Sequence, residues 1–158
     1  MGYLLDAIIF LPLLGAVVAA LFPGGEPKQH RVLALVTSLV TLAVSIPLWF
    51  AFDPSPSGTE FQFVHKTDWI PSLGISYNVG LDGAALLLVL LTTVLTPIVV
   101  LSTWRAVNDR VKEFMIAILV LETAMLGTLA ALDLVLFYIF WEAMLLPMYL
   151  IIGVWGSE

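Results

Sequence analysis

The sequence predicts an all-α, polytopic membrane protein with five transmembrane helices and an external β-hairpin between helices two and three. Composition is the first reason: 61% of the 158 residues are hydrophobic and 11% are charged, whereas a soluble domain is nearer half apolar and a quarter charged. Length is the second, because five apolar segments reach the ~20 helical residues that cross a hydrocarbon core. The third is that Lys and Arg concentrate in the connections after the first and third segments.

The predicted spans form one membrane domain over residues 1–158. The first span ends at a Pro-Gly-Gly stop. Asp133 alone separates the fourth span from the fifth, and an aspartate there suits the N-cap of the fifth helix at the membrane surface. These two helices must therefore form a tight antiparallel pair. The spans cover approximately residues 3–22, 32–52, 84–104, 114–132 and 134–154.

The segment 53–82 is predicted to be an external hairpin or loop. Residues 61–64 and 75–79 alternate apolar and polar side chains, and residues 70–74 separate them, which is typical of a β-hairpin with a longer loop. A lone hairpin is marginal in water. We therefore expect this one to pack on the helix ends or on a neighbouring subunit.

The basic residues predict the orientation. Five of the six lie in the two connections named above, so the positive-inside rule puts those connections in the cytoplasm and the amino terminus outside. The amino terminus lacks the basic leading region of a cleavable signal peptide. We expect an integral, multi-pass protein of a bacterial-type inner membrane. The five residues are Lys28, Arg31, Arg105, Arg110 and Lys112.

Several classes of function are disfavoured by composition. A net charge of −6 argues against a nucleic-acid partner. The sequence contains no cysteine, which excludes disulfides, thiolate metal sites and iron–sulfur ligation by this chain. His30 and His65 both fall in predicted loops, which argues against a buried haem or a histidine-rich metal site. We expect no metal and no bound cofactor.

Glu142 is the leading candidate for chemistry, since it lies near the middle of the fifth span. An ionised carboxylate at a helix centre costs about 2.5–3.5 kcal/mol or more, and such residues usually handle protons or pair with another helix. Tyr138 and Tyr149 share its helical face and extend a polar seam. Pro147 cannot donate to the carbonyl of Ala143, so it distorts the helix beside Glu142 and leaves room for water. The alternative is that Glu142 only fixes packing through a hydrogen bond between helices.

Glu122 is a candidate second proton site in the fourth span. It lies eleven residues before Asp133, and Glu142 lies nine residues after it, so the antiparallel pair places both acids at similar depth. Spacing does not fix which way each acid faces. Two acids at one depth could share or relay protons, and the alternative is a packing acid bonded to a neighbour. Small side chains on the same helix suit close helix contact: Thr123, Gly127 and Ala131.

No basic residue lies inside a predicted span. An ionised Glu142 would need a cationic partner or solvating water. We therefore expect either that both acids stay neutral or that the partner comes from another chain or from sequence beyond Glu158.

Three stretches carry a resemblance to a known family. Residues 137–156 include Trp141-Glu142 and, four residues on, Leu146-Pro147-Met148-Tyr149. This block resembles the fifth helix of the proton-pumping, antiporter-like subunit called chain M or chain 4 of NADH:quinone oxidoreductase, complex I. Residues 69–77 and 80–83 resemble its hairpin and the start of its third helix, and residues 121–125 followed by 131–134 resemble its fourth-helix region. The resemblance covers essentially the whole chain as the amino-terminal portion, the first five helices, of such a subunit.

The resemblance implies a membrane-arm subunit that moves protons when redox chemistry elsewhere drives it. Glu142 matches the family's key helix-five glutamate, which pairs with a lysine on a later, broken helix beyond this sequence. The implied partners are other membrane-arm subunits of complex I, the lipid bilayer, and a chain that supplies the missing helices and lysine. NADH, FMN, iron–sulfur clusters and quinone are implied for the complex, and no redox centre for this chain.

Two alternatives remain open. The chain could be a subunit of a multisubunit Na⁺/H⁺ antiporter, which shares the helix-five block in outline and would show sodium dependence. It could also be a non-transporting structural fragment of a membrane complex, in which case Glu142→Gln would reduce only assembly.

Overall fold

The computed structural model describes residues 4–21, 27–51, 62–81, 83–104 and 110–155. Within these ranges the chain forms five α-helices and one two-stranded antiparallel sheet. The two strands follow the second helix and are joined by a short 3₁₀ turn, Pro71–Leu73. The elements are α1 (Leu4–Leu21), α2 (Pro27–Ala51), β1 (Gln62–Ile70), β2 (Ile75–Leu81), α3 (Gly83–Ser102), α4 (Val111–Ala130) and α5 (Leu134–Trp155).

The described helices make this a helical membrane protein. Four of them, α2 to α5, are long and apolar enough to cross a membrane. The apolar run of α1, Leu5–Leu21, is shorter than the ~20 residues of a usual span. The first and last residues of the predicted first span, 3 and 22, lie outside the described residues, so the fifth crossing stays a prediction.

The second helix begins earlier than its sequence pattern indicates. We expected a start at residue 32, but α2 begins at Pro27. Proline suits the first position of a helix, because its φ is already helical and because the backbone N–H that it lacks would have no partner within the helix at that position. His30 is therefore helical and buried, with 3% of its surface exposed. His65 lies in β1. The expectation that both histidines fall in loops was wrong.

The α4 helix packs against α1, α2, α3 and α5. Buried apolar side chains form two clusters along it, as expected for a helix that is apolar on several faces. One cluster joins Leu126 of α4 to Leu5, Leu81 and Phe140. The other surrounds Met115 near the beginning of α4. The only acidic side chain among the buried residues of α4 is Glu122.

The two strands rest on the ends of the helices. In the register of the sheet, Thr67 of β1 lies opposite Tyr77 of β2. Both strands extend beyond the residues 61–64 and 75–79 that alternation suggested. Gly74 has a φ of +70° just before β2, a left-handed conformation that glycine adopts without strain. The backbone N–H of Leu132 donates to the carbonyl of Asn78 at 2.7 Å, which attaches the sheet to the α4–α5 connection.

Candidate functional site

The α5 helix buries one face and exposes the other. Leu136, Phe140 and Pro147 are its buried residues among those described, and Leu136 and Phe140 pack in the cluster that includes Leu126 of α4. Glu142 follows Phe140 by two residues, which is about 200° around a helix of 3.6 residues per turn. Glu142 is exposed and so points away from α4.

Glu142 shares the exposed face of α5 with two tyrosines, as the spacing predicted. Tyr138 is 60% exposed and Tyr149 is 74% exposed. We call these three residues the outward face of α5. An uncovered carboxylate on this face would meet hydrocarbon at considerable cost, so the face requires a covering partner or water. The α5 helix continues through Pro147, whose ring lies on the buried side.

Glu122 lies in a different environment. It is 1% exposed and borders a half-open cavity of about 170 Å³ between α3 and α4. We call this the α3–α4 cavity; its polar lining residues are Thr92, Thr96 and Glu122, and its other lining residues are apolar. Neither carboxylate oxygen of Glu122 has a hydrogen-bond partner of good geometry among the described residues.

The two acids reach similar depth but do not face each other. At 1.5 Å per residue, Glu122 lies about 16 Å and Glu142 about 14 Å along their helices from Asp133. Glu122, however, borders the cavity beside α3, whereas Glu142 is on the side of α5 away from α4. The structure therefore places these two acids in separate environments.

The small-residue seam on α4 makes close contact with α5 at Gly127. A β-carbon added to Gly127 would lie 2.6 Å from Cγ of Phe140 and closer still to the edge of the ring. Glycine is thus what allows the Phe140 ring to lie against the α4 backbone. Spacing indicated a close contact here but gave no sign that an aromatic ring fills it.

Asp133 holds two elements together. Its Oδ1 accepts the backbone N–H groups of Val135 at 2.9 Å and Leu136 at 3.2 Å, which confirms the predicted N-cap of α5. Its Oδ2 accepts the backbone N–H and the hydroxyl of Ser76 in β2, at 3.1 and 3.3 Å. The N–H group of Ser76, followed by that of Leu136, lowers the pKa of the Asp133 carboxyl. The bond to β2 was not foreseen, because local spacing carries no information about it.

A second contact ties β2 to α1. The Tyr77 hydroxyl donates to Oδ1 of Asp6 at 2.5 Å. Burial, and then the hydrogen bond to Asp6 and its negative charge, raise the pKa of the Tyr77 hydroxyl well above its usual range. An acid in the first turn of a helix is a common pattern, but nothing local linked Asp6 to a tyrosine so distant in sequence.

The described part of the chain contains no group of three or more His, Asp or Glu side chains that could hold a metal ion.

Comparison with known proteins shows one matching family model and relatives that are similar to the whole chain. Residues 131–158 match the family model described as NADH:quinone oxidoreductase/Mrp antiporter, TM. NADH-quinone oxidoreductase subunit M of Rhodobacter capsulatus is 47% identical over 100% of this chain and 31% of its own length. NADH-ubiquinone oxidoreductase chain 4 of Arabidopsis thaliana is 40% identical over 98% of this chain and 31% of its own length.

The chain is similar throughout its length to subunit M, or chain 4, of NADH-quinone oxidoreductase. The resemblance carried by the Trp141-Glu142 block is thereby confirmed. The chain spans about a third of the length of the subunit M and chain 4 relatives that it matches.

Solved structures share the fold. Respiratory complex I from Thermus thermophilus with bound NADH contains a chain that matches with a TM-score of 0.78 and 24% identity, over 98% of this chain and 30% of that one. The membrane-bound sulfane sulfur reductase, an archaeal respiratory membrane complex, matches with a TM-score of 0.74 and 20% identity, over 96% of this chain and 23% of that one. Because complexes with different activities share this fold, the fold alone does not identify the reaction.

Proposed function

We propose that this chain is part of a proton-translocating subunit in the membrane arm of a respiratory NADH:quinone oxidoreductase, with Glu142 as the intramembrane proton carrier. The observation that carries the proposal is the position of Glu142 on the outward face of α5, within the residues that match the family model. NADH-to-quinone electron transfer takes place elsewhere in the complex. NADH, FMN, iron–sulfur clusters and quinone are bound by other subunits, and this chain carries no redox centre.

The outward face of α5 requires a partner. The described basic residues of the helices lie near helix beginnings and not in the apolar middle of a helix: Lys28 and Arg31 in α2, and Arg110 and Lys112 at α4. A cation that pairs with Glu142 therefore comes from outside the described residues. Further helices that bring a lysine, together with neighbouring membrane-arm subunits and lipid, are the partners that suit this face.

Three further residues support the transfer in this proposal. Glu122 is a second proton site on the opposite side of α4 from the outward face. Tyr138 extends the polar seam beside Glu142 by one helical turn. Pro147 leaves the carbonyl of Ala143 without its usual donor, so this carbonyl can bind water next to the carboxyl.

The proposed placement is a bacterial-type inner membrane, with residues 1–158 as one membrane domain and five crossings. Four of the five described Lys and Arg residues flank the beginnings of α2 and α4, and the fifth, Lys66, lies in β1. The sheet contacts Asp6 and Asp133 near the beginnings of α1 and α5. The positive-inside rule then puts the beginnings of α2 and α4 in the cytoplasm. The amino terminus and the sheet lie outside.

One observation favours a second candidate. The matching family model is described as covering both NADH:quinone oxidoreductase and the Mrp antiporter, so a subunit of a multisubunit Na⁺/H⁺ antiporter is the alternative transporter. A structural fragment without transport activity is the alternative of a different class.

The test compares Glu142→Gln with Glu142→Asp in membrane vesicles that contain the whole assembly. NADH-driven proton uptake, quinone reduction and the amount of assembled complex are measured in parallel. General acid–base groups contribute factors of about 10²–10⁴, so we expect Glu142→Gln to lower proton uptake at least tenfold and Glu142→Asp to retain part of it. Glu113→Gln is the matched control, because Glu113 is an exposed acid in the first turn of α4.

Each of the two alternative functions predicts a different outcome of this experiment. Proton uptake that requires Na⁺ and continues without NADH would replace the complex I proposal by the antiporter. Normal transport per assembled complex in Glu142→Gln, with less complex present, would leave only a structural role.

A further inference from the structure

Among the described residues, the two hydroxyls that line the α3–α4 cavity direct their protons to carbonyls of α3. The Thr92 hydroxyl donates to the carbonyl of Leu88 at 2.9 Å, and the Thr96 hydroxyl donates to the carbonyl of Thr92 at 2.9 Å. Each hydroxyl proton is thus engaged within α3, while the oxygen lone pairs remain available. An ionised carboxylate also only accepts. Thr96 lies close enough to Glu122 to interact with it, but its single proton already has a partner.

Without a charged partner or an uncommitted donor among the described side chains, this environment favours a neutral acid over a carboxylate. A buried charge without donors or a counterion carries a large desolvation penalty. Among the described residues, no other titratable side chain lines the cavity. Lys112, the nearest basic residue along α4, is ten residues from Glu122, which is about 15 Å of helix. A protonated Glu122, in contrast, supplies an O–H group that can donate a hydrogen bond to the lone pairs of a threonine oxygen.

The cavity is adjacent to the acid and large enough for water. A water needs roughly 10–15 Å³ of space and about 2–4 polar partners. This cavity measures about 170 Å³, and the polar partners that its lining offers are Thr92, Thr96 and Glu122. Hard metal cations collect about six or more oxygen ligands, whereas three polar side chains line this cavity. Its chemistry therefore matches a proton with water more closely than a sodium ion.

We propose that Glu122, Thr92 and Thr96 form a proton-binding site between α3 and α4 that does not bind sodium. Neutral Glu122 donates its proton to a threonine oxygen at rest. On exchange, the O–H bond of the acid breaks as a water molecule in the cavity forms an O–H bond with the same proton. The products are a carboxylate and a hydronium ion that donates to it, and the reverse step reloads the acid. Glu122 is the proton-binding residue, and the two threonines are positioning residues. This inference rests on the proposed function only in giving the chain a role in proton transfer.

Infrared difference spectroscopy on the intact membrane assembly that contains this chain tests the site. We expect a carbonyl stretch of a protonated carboxylic acid at neutral pH that shifts in D₂O and disappears in Glu122→Gln. Thr96→Val keeps the shape of the side chain but removes the acceptor, so the band should move to higher frequency, and Thr96→Ser should restore it. Thr103→Val is the matched control, because the Thr103 hydroxyl makes the same kind of backbone bond at 2.8 Å outside the cavity.

Two results would overturn the inference. One is the absence of a Glu122-dependent band at neutral pH in an assembled, active complex. The other is a band that appears only when Na⁺ is removed, which would show that a sodium ion occupies the site. In this scheme Glu142→Gln leaves the Glu122 band unchanged whether or not transport is lost. Failure of the proposed function is therefore seen as normal transport in Glu142→Gln, and failure of this site is seen in the Glu122 band.

Discussion

Replacing Gly127 by alanine should destabilise the contact between α4 and α5 through one methyl group. The new β-carbon would lie 2.6 Å from Cγ of Phe140, whereas carbon atoms pack best at about 3.5–4.0 Å. Either the ring or one helix must therefore move by about 1 Å. Phe140 is 9% exposed and packed in the cluster with Leu126 and Ala130, so the ring has little free space to enter.

The change in the free energy of unfolding of Gly127→Ala is the sum of two opposing contributions, the cost of overpacking and the gain in helix propensity. Overpacking a well-packed core costs typically about 1–3 kcal/mol, and alanine gains about 0.8–1.0 kcal/mol over glycine within a helix. Gly153→Ala in α5 isolates the gain in helix propensity, because no described atom beyond the neighbouring residues and the backbone of α5 lies within 4 Å of the added carbon. We therefore expect the free energy of unfolding of Gly127→Ala to be about 1–3 kcal/mol lower than that of Gly153→Ala.

Reversible unfolding in mixed micelles, followed by helical circular dichroism, measures both variants under the same conditions. A second measurement introduces Phe140→Leu, which removes the ring edge that the new methyl group meets. Contacting residues typically couple by about 0.5–3 kcal/mol, so Gly127→Ala should cost less in the Phe140→Leu background. Equal stability of Gly127→Ala and Gly153→Ala, with no coupling to Phe140, would refute the packing of α5 on α4 described above.

Two further predictions concern the attachment of β2. The pKa of Asp133 is lowered in the folded state. The stabilisation that its carboxylate gives is therefore complete above the ordinary pKa of 3.8 and is lost as the pH falls through the folded-state pKa. Unfolding of Asp133→Asn should lack this acid dependence, and an unchanged dependence would contradict the N-cap assignment. The pKa of Tyr77 is raised above 10.0, so folding stability should decline as the pH rises beyond that value and the decline should vanish in Tyr77→Phe. Ultraviolet titration of the folded chain would count against the Asp6 contact if Tyr77 ionised at its ordinary pKa.

Local chemistry predicted the parts of the site that depend on one helix. The N-cap of α5 followed from Asp133 and its immediate neighbours, since a cap requires only the next three residues. The common face of Tyr138, Glu142 and Tyr149 followed from helical periodicity. The early start of α2 at Pro27 was missed, because the charged residues after it interrupt the apolar pattern that marks a span.

The remaining parts depend on contacts between distant segments. Periodicity placed Glu122 at the depth of Glu142 but could not give its direction, because α4 is apolar on several faces and offers no single buried stripe. The threonines beside Glu122 lie on α3, and their position depends on how that helix packs. The bonds from β2 to Asp6 and Asp133 likewise join residues that no local pattern relates.

The double attachment of Asp133 has a mechanical consequence for α5. Its first turn is fixed to β2 through Ser76, and β2 is fixed to the beginning of α1 through Tyr77, so a tilting α5 must pivot near Asp133. Glu142 is then on a lever arm of about 14 Å at 1.5 Å per residue. The far end, near Gly153, is on an arm of about 30 Å. A displacement of that end would thus move the Glu142 carboxyl by about half as much while the sheet stayed in place.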